Sequence, residues 1–243
     1  MSGHSKWANI QHKKGKTDAA RGKVFTKIGR EIAIAVRDGG GDPNANSKLR
    51  DVIAKAKANN MPNDNIDRSI KKAAGELGNV EYFEITYEGY APGGIAVIVE
   101  CISDNRNRTA SDVRHCFAKN DGTLGVTGSV GFMFDKKGVL ILERTDGMDE
   151  DEVMMAALEA GAEDVVADEE VFEITTDPAA FSQVREELEK GGMEFLSAEL
   201  QMVPQNTVTP DEENTEKIQK LLDMLDENDD VSSVWHNALL PDD

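Results

Sequence analysis

Residues 139–203 read VLILERTDGMDEDEVMMAALEAGAEDVVADEEVFEITTDPAAFSQVREELEKGGMEFLSAELQMV. The run 139–142 is continuously apolar and short, as a buried strand requires. From about 149 to 160 the spacing of Val153, Met154, Ala157 and Leu158 predicts a helix. Strands are expected at 164–167 and 171–175, separated by Asp168, Glu169 and Glu170. A second helix opens at Pro178, carries Phe181, Val184 and Leu188, and stops at Gly191-Gly192. The run 195–203 supplies a last strand. The order β-α-β-β-α-β is that of a ferredoxin-like split βαβ unit.

On the C-terminal side, 204–210 reads as linker. Beyond it, Ile218, Leu221, Leu222 and Leu225 mark a helix, and 231–235 a strand. These two elements make no domain alone. On the N-terminal side the period is two: Phe83, Ile85 and Tyr87 alternate with Glu84, Thr86 and Glu88. Gly89 to Gly94 is expected to turn the chain into the apolar run 95–99, a central strand. Ser103 or Asp104 caps a helix with Val113 and Phe117; 122–128 reads as loop and 130–134 as another strand. Residues 135–138 then form the joint to the next unit. The tail elements complete this layer, so the 136–204 unit is expected to be inserted into a discontinuous domain of 79–135 and 205–243.

Residues 1–78 form the remaining domain. Val24, Ile28, Ile32 and Val36, with Phe25 and Ala35 beside them, make one amphipathic helix ending at Gly39-Gly40-Gly41. A second turns Leu49, Val52, Ile53 and Ala56 inward and Lys48, Arg50, Lys55 and Lys57 outward. After the break at 59–62, a third carries Ile66 and Ile70. The expected class is therefore α+β: an N-terminal three-helix domain plus two α/β domains, the third ferredoxin-like and inserted into the second.

Charge divides the chain in the same place. Residues 1–75 hold 16 Lys and Arg against seven Asp and Glu, a net of +9; the rest holds 11 against 39, a net of −28. Within the first 30 residues, eight cations face Asp18 alone. Such a contrast points to a polyanion as partner. Lys6, Lys13, Lys14, Lys16, Arg21, Lys23, Lys27 and Arg30 are the expected phosphate contacts, and Trp7 and His12 are placed to stack on exposed bases. Against this, Trp7 also suits a packing anchor and the lysines a solvated face. Arg106 and Arg108 sit in a helix's first turn, where the macrodipole disfavours cations. That placement suits a second anion site, unless Asp104 or Glu100 pairs with them.

Other chemistries find little support. Gly15-Lys16-Thr17 resembles the end of a P-loop, but Ile10 stands where its first glycine belongs. His4, His12, His115 and His236 show no metal-ligand spacing, so no metal or other cofactor is expected. His115 and Cys116 point about 100° apart on a helix, as a surface residue and a buried thiol rather than a catalytic pair. Acid clusters at 149–152 and 226–230 read as solvated faces, with weak divalent-cation binding as the alternative. The two cysteines suit no disulfide framework, and no apolar run nears the roughly 20 residues of a membrane span. The N-terminal cations precede no apolar stretch, so no signal peptide and a cytoplasmic location are expected. Neither an enzyme nor a small-molecule substrate is expected.

Several strings are specific: Gly3-His4-Ser5-Lys6-Trp7, Gly39-Gly40-Gly41-Asp42-Pro43, Asn59-Asn60-Met61-Pro62, Glu88-Gly89-Tyr90-Ala91-Pro92-Gly93-Gly94 and Asp104-Asn105-Arg106-Asn107-Arg108-Thr109. With residues 156–164 they occur in an order that resembles the YebC/PmpR family over essentially the whole chain. Ala91 departs from the glycine of many members. The resemblance implies a helical domain, two α/β domains with the last inserted, and a cytoplasmic regulator of gene expression. It implies two mechanisms: binding DNA as a transcriptional regulator, or binding ribosomal RNA as a translation factor that assists elongation through stalled sequences. Ribosome or RNA polymerase are the further partners it suggests. No helix-turn-helix stands out, because the first inter-helix link is long and glycine-rich and the outward side chains of the second helix are mainly lysine.

Overall fold

A computed structural model describes residues 18–75 and 80–241. Helices α1 (Asp18–Gly39), α2 (Ser47–Ala58) and α3 (Asn63–Ala73) come first, followed by strands β1 (Phe83–Ala91) and β2 (Ile95–Ser103). Next are α4 (Arg106–Lys119), β3 (Thr123–Leu124), β4 (Phe134–Glu143), α5 (Glu150–Ala160), β5 (Asp164–Ala167) and β6 (Val171–Thr176). The chain ends with α6 (Phe181–Lys190), β7 (Phe195–Pro204), α7 (Glu212–Asp226) and β8 (Val231–His236).

The three helices close on the expected stripe: Ile28, Ile32 and Val36 pack with Leu49, Val52, Ala56, Met61 and Ile66. Asn46 locks the corner. Its Oδ1 accepts from the Leu49 amide while its Nδ2 donates to the Ala35 and Gly40 carbonyls, each at 2.8 Å. One buried side chain thus caps α2 and satisfies the end of α1.

The two sheets each have four strands, ordered β3-β1-β2-β8 and β5-β6-β4-β7. All pairings within them are antiparallel. The second order is the 4-1-3-2 arrangement of a split βαβ unit, with α5 and α6 burying Leu140, Val165, Ile174, Phe181 and Val184 on one face. In the first sheet the C-terminal strand β8 pairs with β2, so the ferredoxin-like unit is an insertion. There α4 and α7 bury Val97, Val99, Cys101, Val113, Phe117, Ile218, Leu221 and Leu225. Burial pushes the Cys101 thiol up to about 12, as befits a packing residue.

Four local expectations are corrected. No separate strand spans 130–134, and 135–138 is strand rather than a joint: β4 runs unbroken from Phe134 against β7. A Cβ at Gly138 would collide first with the Thr176 hydroxyl and then with the Phe181 ring, whose Cδ2 lies at 2.6 Å. The glycine's role is close approach of α6, not turning. The edge of the first sheet is instead the short β3, inside the expected loop. Asn105, not Ser103 or Asp104, caps α4, accepting from the Arg108 amide. Finally, Glu88 is not on a solvated face but only 7% exposed. Its carboxylate accepts the Gly128, Val130 and Gly131 amides, each at 2.7 Å. Burial alone pushes that carboxyl up, yet the three amides outweigh it and hold it below the ordinary range.

Candidate nucleic-acid interface

Helix α1 places Lys23, Lys27 and Arg30 in one row, because positions i, i+4 and i+7 share a face. That row lies against the C-terminal end of α7 and the turn after it. Lys23 Nζ donates to the Glu227 carbonyl at 3.2 Å, and Lys27 Nζ to the Asp226 carbonyl at 2.6 Å. The last carbonyls of a helix carry the negative end of its dipole, so lysines are stabilised there. Arg30 donates to the Ile102 and Asp229 carbonyls, each at 2.9 Å, and to Asp230 Oδ1 at 2.6 Å.

Asp230 is the hub of this seam and departs from the solvated reading of 226–230, whereas Asp226, Glu227 and Asp229 are exposed. Only 3% exposed, Asp230 also accepts from Arg108, from Ser103 Oγ at 3.1 Å and from Thr109 Oγ1 at 2.8 Å. Burial raises its pKa, but Arg30, Thr109, Arg108 and Ser103 together bring it below the ordinary value. A cavity of about 480 Å³ opens beside it, lined by cations and acids alike, including Lys23, Arg30, Asp104, Arg108 and Asp112.

Arg108 further donates to Asp104 at 2.8 Å, so its guanidinium is held by two carboxylates. Glu100, the other acid weighed for it, instead accepts from Trp235 Nε1 at 2.8 Å. Arg106 lies over the Phe83 ring, 4.3 Å from its centre.

A second seam joins α2 to the inserted unit. Arg50 meets Glu186 at 2.6 Å, and Asp51 accepts from Ser182 and, at 3.0 Å, from the buried Arg185. Burial raises the Asp51 carboxyl despite those donors. Lys55, expected to face outward, is half-buried between Glu31 at 2.9 Å and Glu199 at 3.3 Å. Burial disfavours its charge, but the two carboxylates more than offset this and raise its pKa.

Of the expected contacts, then, the fold brings Lys23, Lys27, Arg30 and Arg108 together around acidic groups of the same chain. Arg21 is exposed at the start of α1. Lys6, Trp7, His12, Lys13, Lys14 and Lys16 lie outside the described residues. Further cations emerge that composition had not singled out. Lys57, Arg68, Lys71 and Lys72 are exposed, with no ion pair among the described residues, and the last three share the side of α3 opposite Ile66 and Ile70. What residue patterns missed most is Asp230 and Asp51. Their partners lie over a hundred positions away, and no local signal marks such pairs.

Among the described residues no group of three or more His, Cys, Asp or Glu side chains is arranged to hold a metal ion, and no helix is long and apolar enough to cross a membrane.

Two family models match: one described as TACO1/YebC protein N-terminal domain over residues 5–76, and one as TACO1/YebC second and third domain over 82–238. A probable transcriptional regulatory protein of Clostridium novyi is 64% identical over 242 residues, covering 100% of this chain and 98% of that one. One from Acetivibrio thermocellus is 63% identical, covering 98% of each. The crystal structure of a conserved hypothetical protein from Aquifex aeolicus superposes with a TM-score of 0.84, at 47% identity and 94% coverage of both chains. Matched at both ends and in its fold, the chain belongs to the TACO1/YebC family.

Proposed function

We propose that this protein is a non-catalytic, nucleic-acid-binding regulator of gene expression that acts as a DNA-binding transcriptional regulator. The observation that carries the reading is the one-sided charge, +9 over residues 1–75 beside −28 over the rest. The names of its relatives, probable transcriptional regulatory proteins, favour transcription. The contact is assigned to Lys6, Lys13, Lys14 and Lys16, with Lys57, Arg68, Lys71 and Lys72 as a second row. Lys23, Lys27 and Arg30 hold the helical domain to the acidic body instead.

One observation favours a second reading, ribosomal RNA with a role in elongation. Arg50 and Lys55, expected to be outward cations of α2, are engaged by carboxylates. The exposed cations that remain suit phosphate backbone more than base edges.

Binding of a labelled duplex DNA and a labelled hairpin RNA of matched charge, followed across a salt series, tests both. Under the first reading the duplex binds, and changing Lys13, Lys14 and Lys16 to alanine weakens it and flattens the log–log salt slope, by about 0.9 per lost contact. Preference for the hairpin, with ribonuclease-sensitive sedimentation alongside ribosomes, transfers the function to RNA. Binding to neither removes both readings.

A further inference from the structure

Residues 122–134 contain no charged side chain, although 30% of the chain is charged and Asp121 and Asp135 flank the segment. Its tip carries Val126, 79% exposed, and Phe132, 71% exposed; among the exposed large hydrophobics described, no others reach these values. Exposed apolar groups scattered singly need no explanation, but two on one short loop form a candidate contact.

The loop is held in shape. Buried Glu88 grips it through three amides, and the Tyr90 hydroxyl donates to the Ser129 carbonyl at 3.0 Å. Backbone bonds from Gly125 to the Glu88 carbonyl and from Gln205 to the Met133 carbonyl fix its two ends. Beneath it, Val130 and Phe134 are buried with Ala96 and Ile98. Burying a carboxylate under a loop is a costly way to organise a mere connection. It is a sound way to hold an aromatic side chain in a binding-ready position, because little order remains to be lost on association.

We propose that the 125–133 loop is a docking knob, with Phe132 its anchor and Val126 a second exposed apolar side chain on the same loop, that inserts into an uncharged apolar pocket on a partner protein. Two observations select that occupant. The absence of any cation on the segment leaves nothing to hold phosphates, which weighs against a nucleic acid. The absence of any acid matches a pocket without basic residues.

Photo-crosslinking in cells from the full-length chain carrying benzoylphenylalanine at position 132 tests this. The expected product is one discrete, nuclease-resistant adduct with another protein. That protein, purified, should bind at least about tenfold more weakly to Phe132→Ser, with Phe132→Leu recovering most of the loss. Thermal unfolding of Phe132→Ser should match the parent; if it does not, Val126→Ser supplies the same comparison. A nuclease-sensitive adduct, an adduct of twice the chain's own mass, no adduct, or affinity indifferent to both substitutions overturns the proposal.

Discussion

Asp230 receives donors from three parts of the chain: Arg30 on α1, Ser103 at the end of β2, and Arg108 and Thr109 on α4. Deleting the carboxylate removes the anion shared by the Arg30 and Arg108 guanidinium groups and leaves Arg108 with Asp104 alone. We expect Asp230→Ala to lower unfolding free energy by about 3 kcal/mol in urea titrations. The effect has a pH signature. A carboxyl whose folded pKa is depressed contributes its stability above the ordinary unfolded value near 4, and loses it as pH falls through the folded value. The stability gap between the parent and Asp230→Asn should therefore be constant at neutral pH and shrink below about pH 4. Glu88 follows the same sign, its folded pKa also being lowered. Because both of its oxygens accept amides, Glu88→Gln turns an NH₂ group toward at least one N–H. A cost of about 1–3 kcal/mol is expected, with faster hydrogen exchange at residues 128, 130 and 131.

Helix α1 illustrates how one element carries two charge roles. Its apolar side closes the helical core, and its row Lys23, Lys27 and Arg30 fastens that core to the end of α7. Helix α2 repeats the device against α6 and β7 through Arg50, Asp51 and Lys55. Reversing Lys27 and Arg30 to glutamate should therefore release α1 from the seam. Amide exchange across α1 should rise and protease cleavage near residues 40–46 appear, while β1, β2 and the ferredoxin-like unit keep their protection. Unchanged exchange would mean that apolar contacts alone hold the helices in place.

Across the whole molecule, the charge contrast is partly consumed by the fold itself. Cations of the first domain neutralise acids of the other two, so less positive charge faces solvent than +9 suggests. Residues 145–184, by contrast, hold 13 acids and no Lys or Arg. Under the proposed function a polyanion is repelled from that side and admitted at the basic end, and the body would restrict how the protein lands. Replacing exposed Asp151, Glu152 and Glu159 with lysine should raise non-specific affinity and blur the orientation seen by cleavage footprinting. An unaltered footprint would exclude steering by the acidic unit.

Periodicity was enough for the helices, for β1, β2, β6 and β7, and for the order that makes 139–203 a split βαβ unit, because burial of one face imposes a local repeat. Charge composition marked which end of the chain is basic for a similar reason: it needs only counting. Other features depended on residues far apart. The expected joint at 135–138 became strand because β7 supplies its ladder partners, and Gly138 is small for the sake of Thr176 and Phe181. Lys23, Lys27, Arg30 and Arg108 suit phosphate by type, and the fold brings residues 226–230 against them. A side chain's type says which partners it can take, whereas long-range packing determines which partner arrives and whether any charge is left for a ligand.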